Sequence, residues 1–106
     1  MQEKQEEKYL LGDFLREARE SLNLGIREMC RLIEKNPRAG GTVSPSYYSQ
    51  VEHGKNIKPE KISFDFFWAV SIVLEVDPVK LFLLSRPHIP VSMHDPKMRD
   101  VIFKKR

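Results

Sequence analysis

Residues 43–54, V-S-P-S-Y-Y-S-Q-V-E-H-G, carry both a start and a stop signal for a short helix. The Ser44 hydroxyl can accept hydrogen bonds from amides of the first turn as the N-cap. Pro45 then occupies the first helical position, where the N–H that proline lacks would have no partner in the helix. Gly54 can adopt the positive φ that commonly ends a helix. The stretch therefore predicts one helix with closely defined ends.

This helix has two different faces. A projection at about 100° per residue places Tyr48 and Val51 on one side. The other side carries polar groups, namely Ser46, Ser49, Gln50 and His53. A helix this short is marginally stable alone, so its apolar side has to pack on a scaffold. The polar side fits either an ordinary surface helix or a recognition helix that offers hydrogen-bonding groups to a partner.

Two helices are expected before this stretch. The first spans residues 9–22, is ended by Asn23 and has apolar residues at the spacing of one buried face. These are Leu11, Phe14, Leu15, Ala18 and Leu22. The second spans residues 26–35, with Gly25 as a weak but allowed N-cap. Its expected buried residues are Ile26, Met29, Cys30 and Ile33.

Two more helices are expected after it. Ser63 caps a helix that runs to Leu74, and Asp77-Pro78 starts another that runs to Leu84. The predicted core positions of these two helices are Phe67, Val70, Ser71, Leu74, Leu81 and Leu84. Trp68 and Ile72 point away from that core and create a second apolar surface. Either the C-terminal segment or a second subunit could cover this surface.

The order of these pieces resembles the Xre/Cro family of lambda-repressor-like helix-turn-helix DNA-binding domains. The matching segments, taken from residues 11–84, are LGDFLREARESLNL at 11–24, IREMC at 26–30, SPSYYSQVEHGK at 44–55 and VDPVKLF at 76–82. The resemblance implies an all-α, five-helix bundle that binds double-stranded DNA and regulates transcription, with repression as the expected mode. It also implies homodimers, at least on DNA, and an ion pair between Arg19 of the first helix and Glu52 of the third.

The resemblance further implies how the helix from Ser44 to His53 reads DNA. Its N-terminal half would enter the major groove, and the expected base contacts are Ser46, Tyr47, Ser49 and Gln50. The amide of Gln50 is the most informative of these groups because it can form two hydrogen bonds with adenine N6 and N7. The expected phosphate contacts, which fix the register, are Arg27, Ser44, Lys55 and Asn56, and Arg38 is a further candidate from the enlarged loop rather than from the resemblance. For Lys55, an alternative is that it only complements the helix dipole.

An enlarged loop between the second and third helices departs from the family. The usual turn has three or four residues, whereas here residues 36–42 follow the second helix. Pro37 and the Gly40-Gly41 pair predict a flexible loop. Lys35 and Arg38 could follow the phosphate backbone, or the loop could be a solvated excursion with incidental charge. Lengthening a loop costs about 1 kcal/mol or less in closure entropy, so the motif can tolerate it.

Composition bounds the remaining possibilities. The chain of 106 residues predicts a single domain, and its net charge of +3 weakly favours polyanionic partners. The single cysteine, Cys30, cannot form a disulfide within one chain and is expected to be a buried apolar residue. The sequence shows no signal peptide or membrane-spanning run, which favours a cytoplasmic location without membrane contact. The spacing of His53, His88 and His94 fits no common metal motif, so no metal site, cofactor or catalytic residue is predicted.

Three segments are expected along the chain, with residues 1–8 as a disordered lead-in, 9–85 as the DNA-binding domain and 86–106 as a C-terminal extension. The extension contains Pro87, Pro90 and Pro96, which oppose a long helix. It also contains apolar patches at residues 89–91 and 101–103 and a basic end at residues 104–106. The alternative function is therefore a protein-interaction module, such as an antitoxin, that binds a protein partner through this tail and binds DNA secondarily.

Overall fold

A computed structural model describes residues 9–86 of the chain. These residues form five α-helices: α1 (Leu10–Ser21), α2 (Ile26–Lys35), α3 (Pro45–His53), α4 (Phe64–Leu74) and α5 (Pro78–Leu84). Two 3₁₀ turns, Pro37–Ala39 and Pro59–Lys61, lie in the connections on either side of α3. The predicted all-α, five-helix bundle is thus confirmed. Some expectations concern residues outside this range. They are the disordered lead-in at 1–8, the apolar patches and basic end of the tail, and His88 and His94.

The helix starts follow the predicted caps. Ser44 Oγ accepts the Tyr47 N–H at 3.1 Å, and Ser63 Oγ accepts the Phe66 N–H at 3.3 Å. Asp77 Oδ1 accepts the Val79 N–H at 2.9 Å. Each cap satisfies an amide that has no partner within its own helix, which explains why short helices begin at these positions.

All five helices contribute to one core. Its fully buried side chains are Leu11, Leu15, Met29, Ile33, Tyr48, Val51, Ile62, Phe67, Val70 and Leu81. Cys30 is buried in the same cluster, as predicted, and burial raises the pKa of its thiol. Ser71 and Leu74 are also buried, so the predicted inner face of α4 is confirmed.

The prediction was wrong or incomplete at the edges of the core. Leu22 is 40% exposed because α1 ends at Ser21 and Asn23 then takes a φ of 58°, which turns the chain away. Ile26 is only partly buried, at the edge of the cluster. On α5 the buried partner of Leu81 is Leu83, at 3% exposure, whereas Leu84 is partly buried against the core.

The enlarged loop is partly folded onto the bundle. The Asn36 side chain accepts the Arg38 N–H at 2.9 Å, which stabilises the 3₁₀ turn, and Ala39 is only 3% exposed. The indole Nε1–H of Trp68 donates to the Arg38 carbonyl oxygen at 2.9 Å. The loop is therefore packed on the bundle at Ala39, whereas Pro37 and Arg38 are exposed, and the expected phosphate contact of Arg38 stays a prediction. Trp68 thus contacts this loop, whereas the two covers expected from the sequence were the C-terminal segment and a second subunit. The Trp68 side chain remains 43% exposed.

Arg86, the first residue of the expected extension, is bound to the domain. Its guanidinium donates to the carbonyl oxygens of Pro59 at 3.1 Å and Ile62 at 3.4 Å. It also lies over the Phe82 ring, 4.3 Å from the centroid. Arg86 thereby ties the end of α5 to the connection between α3 and α4.

Candidate nucleic-acid interface

Helix α3 is held from its C-terminal end by α1. The Tyr9 hydroxyl donates to the Val51 carbonyl oxygen at 2.6 Å. This carbonyl needs an external donor because the amides of Gly54 and Lys55 both donate to the Gln50 carbonyl instead. Burial of the hydroxyl, and to a lesser extent its electrostatic interaction with Tyr47, raises the pKa of Tyr9 to about 12. Tyr9 thus completes the C-terminal cap of α3.

The backbones of α1 and α3 approach each other very closely. A Cβ atom added to Gly12 would lie 2.1 Å from the Glu52 carbonyl oxygen and 2.5 Å from the Tyr9 ring. Gly54, which has a φ of 71°, lies directly under the same ring. Only glycine permits this approach, so Gly12 sets the distance between the two helices.

An ion pair completes the contact between α1 and α3. Arg19 Nε lies 3.0 Å from Glu52 Oε1, and Arg19 Nη2 lies 2.7 Å from Glu52 Oε2. Glu52 is 2% exposed, and its charge is therefore compensated by two parallel hydrogen bonds. The pair implied by the family resemblance is present. Beside it, burial and then the Glu52 carboxylate raise the pKa of the Tyr48 hydroxyl, which lies close to the ion pair but forms no hydrogen bond of good geometry within residues 9–86.

The opposite face of α3 is available for contact. Ser44, Ser46 and Tyr47 are exposed near its N-terminus, whereas Ser49 and Gln50 are partly buried one turn later. The Tyr47 ring packs edge-on against Phe66, with 5.4 Å between the centroids. The ring is therefore packed on one side and remains 37% exposed.

Two surface concavities flank this face. One, of about 350 Å³, lies at the C-terminal end of α3 and is lined by Ser49, Gln50, His53, Lys55 and Asn56. The other, of about 430 Å³, lies between the loop, α3 and α4, with Ser44 and Tyr47 among its lining residues. The structure therefore brings together the predicted base contacts Ser49 and Gln50 and the predicted phosphate contacts Lys55 and Asn56.

Arg27 and Arg38 lie elsewhere. Both side chains are exposed, Arg27 in the first turn of α2 and Arg38 in the 3₁₀ turn, and neither lines the two concavities. The Arg38 main chain is fixed by Trp68, which leaves its guanidinium free to extend into solvent. Asn56 has a φ of 58°, a conformation that asparagine tolerates better than most residues.

Sequence reasoning missed several residues that shape this face. Tyr9, Gly12 and Arg86 received no role, and His53 was only placed on the polar side of the helix. The contacts of Tyr9, Gly12 and Arg86 join residues far apart in the chain, so no local pattern identifies them, whereas His53 contacts Ser49 within α3. A weak signal existed for Gly12, because a glycine inside a helix often marks a close packing contact.

The comparisons with known proteins add no assignment, since the chain matches no protein-family model, curated protein or solved structure. Among the helices of residues 9–86, none has the length and apolar character needed to cross a lipid bilayer.

Proposed function

We propose that the protein is a sequence-specific duplex DNA-binding transcriptional regulator of the lambda-repressor-like helix-turn-helix type. In this proposal α3 enters the major groove, and the protein acts by occupying its operator rather than by chemistry. Ser46, Tyr47, Ser49 and Gln50 contact base edges. Arg27, Ser44, Lys55, Asn56 and Arg38 contact phosphates. Binding as a homodimer would place two α3 helices about one DNA turn, roughly 34 Å, apart.

The observation that best supports the proposal is the way α3 is held. Tyr9, Gly12 and the Arg19–Glu52 pair fix its buried face and its C-terminal end to α1. Its polar face is left uncovered by the described residues, with Ser46 and Tyr47 exposed. A short helix held rigidly with a free hydrogen-bonding face is suited to reading base edges, which requires a fixed position relative to the scaffold.

The charges near this face support a polyanionic partner. Lys55, Lys58 and Lys61 follow α3 and are all exposed. The chain as a whole carries a net charge of +3 and has a pI near 9.1. Each lysine that neutralises a phosphate releases counterions, so DNA affinity should fall as salt concentration rises.

Selection of binding sites from a random duplex pool tests the proposal. We expect enrichment of one half-site, and two copies related by a dyad if the protein binds as a homodimer. Recovery of no enriched sequence, together with no salt-dependent binding to any duplex, would refute the proposed function.

Two variants then separate base reading from phosphate binding. Gln50→Ala should reduce the free energy of binding to the selected site by about 1–3 kcal/mol and leave binding to random DNA nearly unchanged. Lys55→Ala should lower the affinity for all duplexes by a similar factor. It should also reduce the slope of log affinity against log salt concentration, the salt slope, by about one unit. If Gln50→Ala weakens selected and random DNA equally, Gln50 is not a base contact.

The enlarged loop is tested in the same assay with Arg38→Ala. A salt slope lowered by about one unit would support a phosphate contact from the loop. An unchanged slope would remove Arg38 from the interface. Since the Arg38 main chain, not its side chain, accepts the Trp68 hydrogen bond, this substitution should leave the loop in place.

A further inference from the structure

His53 has a ring orientation that determines which nitrogen carries the proton. It is the last residue of α3 and is exposed. Its Nδ1 lies 2.8 Å from the Ser49 carbonyl oxygen and 3.3 Å from Ser49 Oγ. A carbonyl oxygen only accepts hydrogen bonds, so Nδ1 must be the donor at this distance. In the neutral ring, Nε2 is therefore an unprotonated acceptor.

The concavity that holds His53 is suited to an anion. Its other lining residues are Ser49, Gln50, Lys55 and Asn56, which offer amide and hydroxyl donors and one cation. Among residues 9–86, no carboxylate lines this concavity, so a phosphate oxygen would meet no like charge from them.

The neighbouring titratable groups are already engaged. Glu52, next to His53 in the chain, is buried and bound to Arg19 on the other side of α3. On the side of α1, Tyr9 donates its hydroxyl to Val51, Arg19 is bound to Glu52, and Arg16, which interacts electrostatically with Glu52, is paired with Asp13. Within the described part of the chain, Lys55 is thus the one charged side chain that lines the concavity beside His53.

We propose that His53 is a protonation-dependent contact to a DNA phosphate, so that the affinity for duplex DNA rises as pH falls. The inference rests on the proposed DNA-binding function. Neutral His53 points the Nε2 lone pair at the phosphate and repels it. Protonated His53 donates from Nε2 while Nδ1 keeps its bond to Ser49, so the ring does not have to turn.

The sign of the effect follows from linkage. The complex favours protonated His53, so binding takes up a proton, and the association constant increases as pH decreases. Uptake of one proton changes affinity by at most about tenfold per pH unit. We expect the measured affinity to increase by about three- to tenfold from pH 8 to pH 6.

The experiment measures binding of the full chain to a labelled random-sequence duplex at pH 6, 7 and 8 and fixed ionic strength. His53→Gln should abolish the increase at low pH. Lys55→Ala should bind more weakly at every pH and keep the increase. The matched control, His88→Gln combined with His94→Gln, removes the other two histidines of the chain and should behave like the unmodified protein.

The salt dependence gives a second readout that a purely structural role would not affect. At pH 6 the salt slope of the unmodified protein should be steeper by up to about one unit than at pH 8, and His53→Gln should show no such difference. Nitrogen-15 NMR of the free protein at pH 8 should show the His53 proton on Nδ1; a proton on Nε2 would overturn the inference.

Duplex binding whose pH dependence survives in His53→Gln would refute this inference and leave the proposed function intact. Absence of binding to random and selected duplexes at all three pH values would refute both.

Discussion

The guanidinium of Arg19 contacts both carboxylate oxygens of Glu52 and so joins α1 to the buried side of α3. The two distances are 3.0 and 2.7 Å, and Arg19 also donates to the Leu24 carbonyl at 3.0 Å. A single side chain therefore fixes α3, the helix that we propose reads DNA, and the connection from α1 to α2. Hydrogen bonding to Glu52 raises the pKa of Arg19, so the guanidinium stays charged.

Removing one partner of this pair should be strongly destabilising. Arg19→Ala leaves the buried Glu52 carboxylate without its counter-charge, and we expect a loss of about 3–5 kcal/mol in the free energy of unfolding. A double-mutant cycle with Glu52→Ala, measured by urea unfolding, should show strong coupling. Arg16→Ala is the control, since the Asp13–Arg16 pair on the same helix is exposed and should contribute little. Additive effects of Arg19→Ala and Glu52→Ala would contradict the prediction.

Removing a tyrosine hydroxyl should have opposite effects at two positions. Tyr9→Phe leaves the Val51 carbonyl without its donor and should cost about 1–3 kcal/mol. Tyr48→Phe removes a buried hydroxyl that has no hydrogen bond within the described residues, so stability should stay the same or rise by up to about 1 kcal/mol. Chemical denaturation of both variants provides the measurement. A large loss in Tyr48→Phe would show that its hydroxyl has a partner.

Stability should decline in alkaline solution partly because of Tyr9. Its folded-state pKa is raised to about 12, whereas an unfolded tyrosine titrates near 10. The unfolded state therefore loses its proton first, and the stabilisation present below pH 10 is lost as pH rises from about 10 to about 12. Free energies of unfolding at pH 9, 10 and 11 should fall less steeply for Tyr9→Phe. Equal slopes for both proteins would count against the prediction.

Gly12→Ala should separate α1 from α3. The new Cβ would lie 2.1 Å from a backbone oxygen, which cannot be relieved by a side-chain rotation. We expect a loss of about 1–3 kcal/mol or more, as for other overpacked sites. Gly41→Ala is the matched control because its Cβ meets nothing within 4 Å. Thermal unfolding that is equally affected by both substitutions would exclude a special role for Gly12.

Trp68→Phe should loosen the folded part of the enlarged loop. The variant keeps an aromatic ring but lacks the Nε1–H that donates to Arg38. Hydrogen exchange should become faster at the Ala39 amide, which donates to the Asn36 carbonyl within the 3₁₀ turn. Amides in α1 should be unaffected. If Trp68 instead forms a subunit interface, Trp68→Ala should change the mass measured by sedimentation, and the exchange at Ala39 should stay the same.

The sequence by itself determined where the helices lie and which sides face the core. Ser44, Pro45 and Gly54 define the ends of α3 because caps depend on hydrogen bonds and backbone angles within a few residues. The apolar periodicity identified Leu11, Leu15 and most other buried positions for the same local reason. The Arg19–Glu52 pair came from a different source, the resemblance to a known family.

The tertiary structure decided the contacts between residues distant in the chain. Local periodicity could not show that α1 ends before Leu22, that Leu83 is buried, or that Trp68 reaches the Arg38 carbonyl. It also could not show that Tyr9 caps the far end of α3, because no pattern within one helix specifies how another helix approaches it. Such contacts depend on interhelical distances of a few ångströms, which are set by the packing of all five helices together.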